Sequence, residues 1–183
     1  LTNLEILKNI RELFAENLQF FVDKMVESAN GASEAISNLP VPFLSCFMGG
    51  IESGYEMRDT KHQGTKYNGS GCLIHGLSVV SDSFVAIDRL LAERPQDCDN
   101  LIDALKKNFQ GYDELREFML AAPKYGNNND IADSAATELA EMVCDLVNSR
   151  KNYLGNAFRA DLSSPSTHLL YGYWVAATPD GRK

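Results

Sequence analysis

The sequence predicts a helix-rich α/β fold whose few strands need partners. Apolar residues recur at helical spacing through most of the 183 residues. Only two or three short stretches, 41–47 and 157–162 among them, read as strands. Strands so few form no stable sheet among themselves, so their partners are expected outside this chain.

The elements follow in order. Residues 3–28 carry Leu4, Leu7, Ile10, Phe14, Leu18, Phe21 and Met25 on one face and Glu5, Lys8, Arg11, Glu12 and Glu16 on the other. That pattern predicts one long amphipathic helix, with Asn30-Gly31 as its stop. Pro40-Val-Pro-Phe-Leu-Ser-Cys-Phe47 reads as a short buried strand, since Pro42 disfavours a helix start and the run is apolar. Residues 49–71 are rich in Gly, Asn and Thr and read as a long irregular stretch, which usually serves a site or an interface. Helical spacing returns from Ser78 in Val80, Phe84, Ile87, Leu90 and Leu91, and Pro95 ends it. Asn100 and Asp113 are expected to cap two short helices, the second stopped by Pro123. After a polar loop at 124–129, Asp130 is expected to cap a longer helix with Ile131, Ala135, Leu139, Met142, Val143 and Leu146 inward. Arg150 and Lys151 stand where the helix dipole favours cations. A strand at 157–162, a turn at 163–166, an apolar piece at 169–175 and a Pro-Asp-Gly type I turn complete the chain.

Composition narrows the function. The length suits one domain with a real core. The chain has 44% apolar and 23% charged residues, ordinary globular usage. The net charge of −8 repels phosphate backbones, and no basic run offers an exception, so nucleic acid is not an expected partner. No apolar stretch approaches the about 20 residues of a membrane span, so no membrane partner is expected. The chain shows no secretory leader and opens on Leu1, which fits a cytoplasmic location and a piece of a longer polypeptide. Cys46, Cys72, Cys98 and Cys144 form no CxxC pair and read as reduced, mostly buried thiols.

Residue chemistry alone offers weak sites. Cys72 and His75 are too few for a structural zinc. As nucleophile and base they would make a cysteine hydrolase, but a packed thiol is the plainer reading. Ser81-Asp82-Ser83 reads as an N-cap cluster, His62 as solvated in its loop and His168 as packed or capping. The glycines of 49–71 spell neither GxGxxG nor a P-loop.

Three segments carry a resemblance to the glycyl radical enzymes, the family of pyruvate formate-lyase. Gly76-Leu-Ser-Val-Val-Ser-Asp-Ser-Phe-Val-Ala-Ile87 resembles the family's Gly-Leu segment leading into Ala-Asp-Ser-Leu-x-Ala-Ile. Pro123-Lys-Tyr-Gly-Asn-Asn128 resembles Pro-Lys-Tyr-Gly-Asn-Asp, and Thr178-Pro-Asp-Gly-Arg182 resembles Gly-x-Thr-Pro-Asp-Gly-Arg, with Ala177 near the usual glycine. Ile51-Glu-Ser-Gly54 and Thr65-Lys-Tyr-Asn68 are similar to Ile-Glu-Arg-Gly and Ala-Lys-Tyr-Asn, at slightly longer spacing. The Pro-Val-Pro-Phe-Leu-Ser start is closer to the dehydratase and decarboxylase branch.

The resemblance implies that residues 1–183 are a single segment of a pyruvate formate-lyase-like domain, with a long helix at 1–31 and a motif-bearing region at 32–183. The implied fold is part of a ten-stranded α/β barrel with surrounding helices. The implied parent is a cytoplasmic lyase of anaerobic metabolism. Its glycyl radical is made by a separate S-adenosylmethionine iron–sulfur activase and passes to a cysteine, whose thiyl abstracts hydrogen from a small organic substrate. The expected partners are that substrate, the activase and further copies of the protein. The family's catalytic cysteine lies upstream of the matched region and its Arg-Val-x-Gly-Tyr glycine downstream. No residue here is therefore assigned a catalytic, cofactor-binding or metal-binding role, and the chain alone is expected to be inactive. The alternative is a stand-alone helical interaction module of a degenerate relative.

Overall fold

A computed structural model describes residues 2–59, 69–164 and 168–183, with backbone alone at His168 and Leu169. The expectations for His62, Thr65-Lys-Tyr-Asn68, the Pro165-Ser166 half of the turn at 163–166 and the His168 side chain lie outside the described residues. The described chain is a helix-rich α/β structure with helices α1 (Asn3–Lys8), α2 (Ile10–Ser37), α3 (Pro42–Ser45), α4 (Ile51–Ser53), α5 (Leu77–Glu93), α6 (Cys98–Lys106), α7 (Asp113–Leu120), α8 (Asp130–Asn148) and α9 (His168–Trp174). Its strands β1 (Ser70–Ile74) and β2 (Phe158–Leu162) pair with each other. The chain divides into two compact units, one of residues 1–16, 74–142 and 162–183, the other of 17–73 and 143–161.

The first unit is a helical core. Leu7 of α1, Ala86, Ile87 and Leu90 of α5, Leu101 and Ala104 of α6, and Leu115 and Met119 of α7 gather round the buried Phe109. Each fully buried large side chain contributes about 1.5–3 kcal/mol. Thr2 and Glu5 open α1 with a reciprocal capping box. Arg11 lays both guanidinium nitrogens on Asp88, at 2.8 and 2.5 Å, and its charge lies 5.0 Å above the Phe84 ring. Arg89 and Arg94 flank the Phe118 ring at 4.3 and 4.6 Å, tying α7 to α5.

The two-stranded sheet falls mostly in the second unit, with the last residue of each strand, Ile74 and Leu162, counted in the first. The Ser163 N–H donates to the Ile74 carbonyl at 3.1 Å, at the C-terminal ends of both strands, the register of a parallel pair. β2 is the strand expected at 157–162; its partner β1 falls at the end of the stretch read as irregular. Asn152 is buried and braces the turn before β2, donating to Ser70 Oγ at 3.1 Å and accepting from the Leu154 and Asn156 N–H groups.

Several local expectations are corrected. The helix expected over 3–28 is broken at Asn9, whose φ/ψ of −104°/17° leaves the helical region. It then runs through Asn30-Gly31 to Ser37, because a single glycine weakens a helix by about 1 kcal/mol without ending it. The apolar run at 41–47 is not a buried strand. Pro42 occupies the first turn of α3, where its missing N–H is no loss, and the backbone then kinks at Met48 and Gly49, the latter at φ 92°, before α4. Asn100 lies inside α6 rather than capping it and donates to Asp97 Oδ1 at 2.8 Å. Asp113 is the first residue of α7, after Tyr112 as N-cap. Asn129, not Asp130, caps α8, its Oδ1 accepting from the Ile131 and Ala132 N–H groups at 3.1 and 3.4 Å. Ile131 is exposed, and the buried row is Ala132, Ala136, Leu139, Val143 and Val147. Arg150 lies beyond the end of α8 and pairs with Asp23 at 2.7 Å. Cys72 and Cys98 are buried, Cys144 is half-buried and Cys46 is exposed.

Candidate functional site

Two fully buried carboxylates mark the chemically unusual place in the first unit: Asp82 and Asp180, both 0% exposed. A buried charge needs a partner and hydrogen bonds, or the fold is strongly destabilised. Gly76, whose φ of 88° suits glycine, leads into α5, which turns Ser81, Asp82 and Ser83 inward in its second turn. Ser81-Asp82-Ser83 is therefore not an N-cap cluster. The two hydroxyls bond back to the helix, Ser81 to the Ser78 carbonyl at 3.2 Å and Ser83 to Val79 at 2.7 Å. That leaves Asp82 for longer-range contacts.

Asp82 Oδ1 accepts the Tyr125 N–H at 2.7 Å. Its Oδ2 lies 3.0 Å from Arg182 Nη1. This contact is an ion pair and not a hydrogen bond, and the same nitrogen also pairs with Asp180. The Pro-Asp-Gly turn forms as expected, with the Gly181 N–H donating to the Thr178 carbonyl at 3.0 Å. Inside it, Asp180 Oδ1 accepts from Thr178 Oγ1 at 2.5 Å and from the Arg182 N–H at 3.2 Å. Arg116 Nε donates to the Gly181 carbonyl at 3.1 Å. Gly181 has φ of 88°, and a Cβ there would sit 2.7 Å from Leu120 Cγ, so this position requires glycine on two grounds.

Lys124 completes the cluster. Its ammonium donates to the Met119 and Ala122 carbonyls at 3.0 and 2.9 Å, closing the C-terminal end of α7. Burial holds it below the ordinary lysine value, although the Asp180 and Asp82 carboxylates act in the opposite direction. Two acids and two bases thus neutralise one another around Tyr125 and Thr178. The arrangement is a clasp: it fixes the backbone at 123–126 and 178–182 against α5. Its threonine hydroxyl, Thr178 Oγ1, donates to Asp180 within the turn. Among the described residues no group of three or more His, Cys, Asp or Glu is gathered for a metal ion.

The sequence-derived candidates fall elsewhere. Cys72 is buried in β1 with its Sγ 3.2 Å from Met25 Sδ, and burial pushes its thiol up, away from the thiolate that a nucleophile requires. The His75 ring stacks at a tilt on Tyr171, 5.7 Å between centroids. Residue chemistry alone missed the clasp. The available signal was the presence of opposite charges, Asp82, Lys124, Asp180 and Arg182, in three separate motif segments that proved to meet.

Comparison with known proteins places these features in a family. The family model described as pyruvate formate lyase-like matches residues 1–172. Trans-4-hydroxy-L-proline dehydratase of Clostridioides difficile is 29% identical over 98% of this chain, which covers 23% of that protein. Isethionate sulfite-lyase of Bilophila wadsworthia is 36% identical over 58% of this chain and 13% of its own length. The crystal structure of a glycyl radical enzyme from Archaeoglobus fulgidus superposes with a TM-score of 0.87 at 32% identity, over 97% of this chain and 23% of that one. The chain therefore spans under a quarter of the length of these relatives.

Proposed function

This chain belongs to the pyruvate formate lyase-like family, the glycyl radical enzymes, and on that premise we propose that it is one segment of a larger lyase of the dehydratase type. The observation that carries the proposal is its similarity, over almost its whole length, to under a quarter of a hydroxyproline dehydratase. The parent acts on a small organic molecule. A glycyl radical made by a separate S-adenosylmethionine iron–sulfur activase supplies the hydrogen-abstracting chemistry through a cysteine thiyl. The motifs for that glycine and cysteine do not occur among these residues, so no residue here is proposed as catalytic and the chain alone is inactive. Its own contribution is to frame the site: the clasp of Asp82, Lys124, Asp180 and Arg182 sets the backbone that the rest of the enzyme builds on, as part of a ten-stranded barrel. The parent is proposed to be cytoplasmic and homo-oligomeric. No helix among the described residues is long and apolar enough to cross a membrane.

Electron paramagnetic resonance tests the reading. After anaerobic activation with activase and S-adenosylmethionine, the parent protein gives a glycyl doublet and residues 1–183 alone give none. A protein-borne doublet from the chain alone overturns the assignment.

A further inference from the structure

Residues 41–58, within the second unit, fold polar inside and apolar outside. Ser45 is 5% exposed, with its Oγ 2.8 Å from Glu56 Oε1 and accepting the Met57 N–H at 3.0 Å. Glu56 also accepts the Val41 N–H at 2.8 Å and the Arg58 N–H at 2.5 Å. Arg58 Nη1 closes the far end on the Leu39 carbonyl at 2.7 Å. A Cβ on Gly50 would sit 2.5 Å from the Ser45 carbonyl oxygen, so only glycine lets the chain pass there.

The outer face carries Phe43, Phe47 and Ile51, which are 80%, 72% and 78% exposed. They recur every fourth residue, and the two rings meet edge to face at 5.3 Å. Leu39 and Leu44 are exposed beside them. From Leu39 to Ile51 there is no charged side chain. A surface that faces water has the opposite arrangement, and contiguous apolar patches mark places where something docks. The polar interior holds this loop in shape without using the ridge side chains, so the ridge is preorganised for a partner.

Resting on the reading that the chain is a segment of a longer enzyme, we propose that the Phe43–Phe47–Ile51 ridge is a docking face for an uncharged, apolar segment of the same parent polypeptide outside residues 1–183. The lack of charge selects an aliphatic or aromatic partner over an acidic or basic one. The relatives supply the polypeptide, since more than three quarters of the hydroxyproline dehydratase and of the Archaeoglobus enzyme lies outside the matched part.

The test is to purify the native protein from its source, weigh it, and place Phe43→Asp/Phe47→Asp in both the native-length protein and residues 1–183. The expected native polypeptide is several times heavier than the 20.2 kDa of these residues. In it the double substitution lowers the urea midpoint and shortens the half-life under protease about tenfold or more, whereas Phe43→Leu/Phe47→Leu has little effect. In residues 1–183 the midpoint is unchanged and binding of a hydrophobic dye falls. An unchanged midpoint in the native-length protein overturns the docking face and leaves the family reading intact. A discrete dimer of residues 1–183 that the double substitution dissolves assigns the ridge to a second copy and overturns the proposal. A native mass near 20.2 kDa overturns both the proposal and the reading beneath it.

Discussion

The Tyr125 N–H donates to Asp82 Oδ1 across 2.7 Å of space and 43 residues of sequence. It is a backbone donor on a carboxylate that is wholly buried, and Arg182 reaches the same carboxylate from the far end of the chain. The segment at 123–126, beyond α6 and α7, and the segment at 178–182, beyond α8, β2 and α9, are thus pinned to α5 through one side chain.

Removing that side chain exposes the pairing to measurement. Asp82→Ala leaves the Tyr125 N–H without an acceptor and Arg182 with one anion fewer. Half exposure of Arg182 moderates the loss, so a cost of about 2–4 kcal/mol is expected from urea denaturation. Asp82→Asn keeps an acceptor for Tyr125 and costs less, about 1–2 kcal/mol. Equal effects of the two substitutions would show that the charge, not the hydrogen bond, dominates.

Gly181→Ala tests the turn. Its φ of 88° disfavours any side chain, and the added Cβ meets Leu120 at 2.7 Å. Strain and overpacking together predict a loss of about 2–4 kcal/mol, with faster amide exchange at Gly181 and Arg182. Gly71→Ala has open space and serves as the control.

Lys124 predicts a pH dependence whose sign is fixed. Its folded-state value is held below the ordinary 10.5 by burial, so the unfolded chain binds the proton more tightly. The charged lysine therefore disfavours folding below its folded-state value. This penalty is relieved as pH rises from that value towards 10.5. The stability of the parent sequence relative to Lys124→Met should rise over that window, measured as the difference in urea midpoint. A difference that falls with pH would place the lysine in a net stabilising ion pair instead.

Cys72 separates a packed thiol from a reactive one. Its thiol is pushed up by burial, and Cys46 is exposed. Iodoacetamide near neutral pH should therefore label Cys46 first and Cys72 only on unfolding, by peptide mass mapping. Cys72→Ser should cost about 1–2 kcal/mol, because a hydroxyl replaces sulfur in an apolar contact with Met25. Rapid labelling of Cys72 in the folded protein would return it to candidacy as a nucleophile.

The sequence by itself determined what depends on near neighbours. The apolar periodicity of α5 and the turn chemistry of Thr178-Pro-Asp-Gly act within a few residues, and both formed as expected. The family is legible because its motifs are short, ordered strings. Tertiary structure decided the rest. Residues 41–47 are apolar but too short to show a period, and Pro42 points to a strand; the helix forms because Glu56 draws Ser45 and the Val41 N–H into one loop. Ala132 is buried and Ile131 exposed because burial along α8 follows which face meets a neighbour, not which side chain is larger. Asp82 looked like a cap because Asp and Ser favour helix starts, and nothing local revealed that Tyr125 and Arg182 would arrive. A buried carboxylate is stable only where distant partners converge on it, and such convergence is a property of the folded chain rather than of any segment.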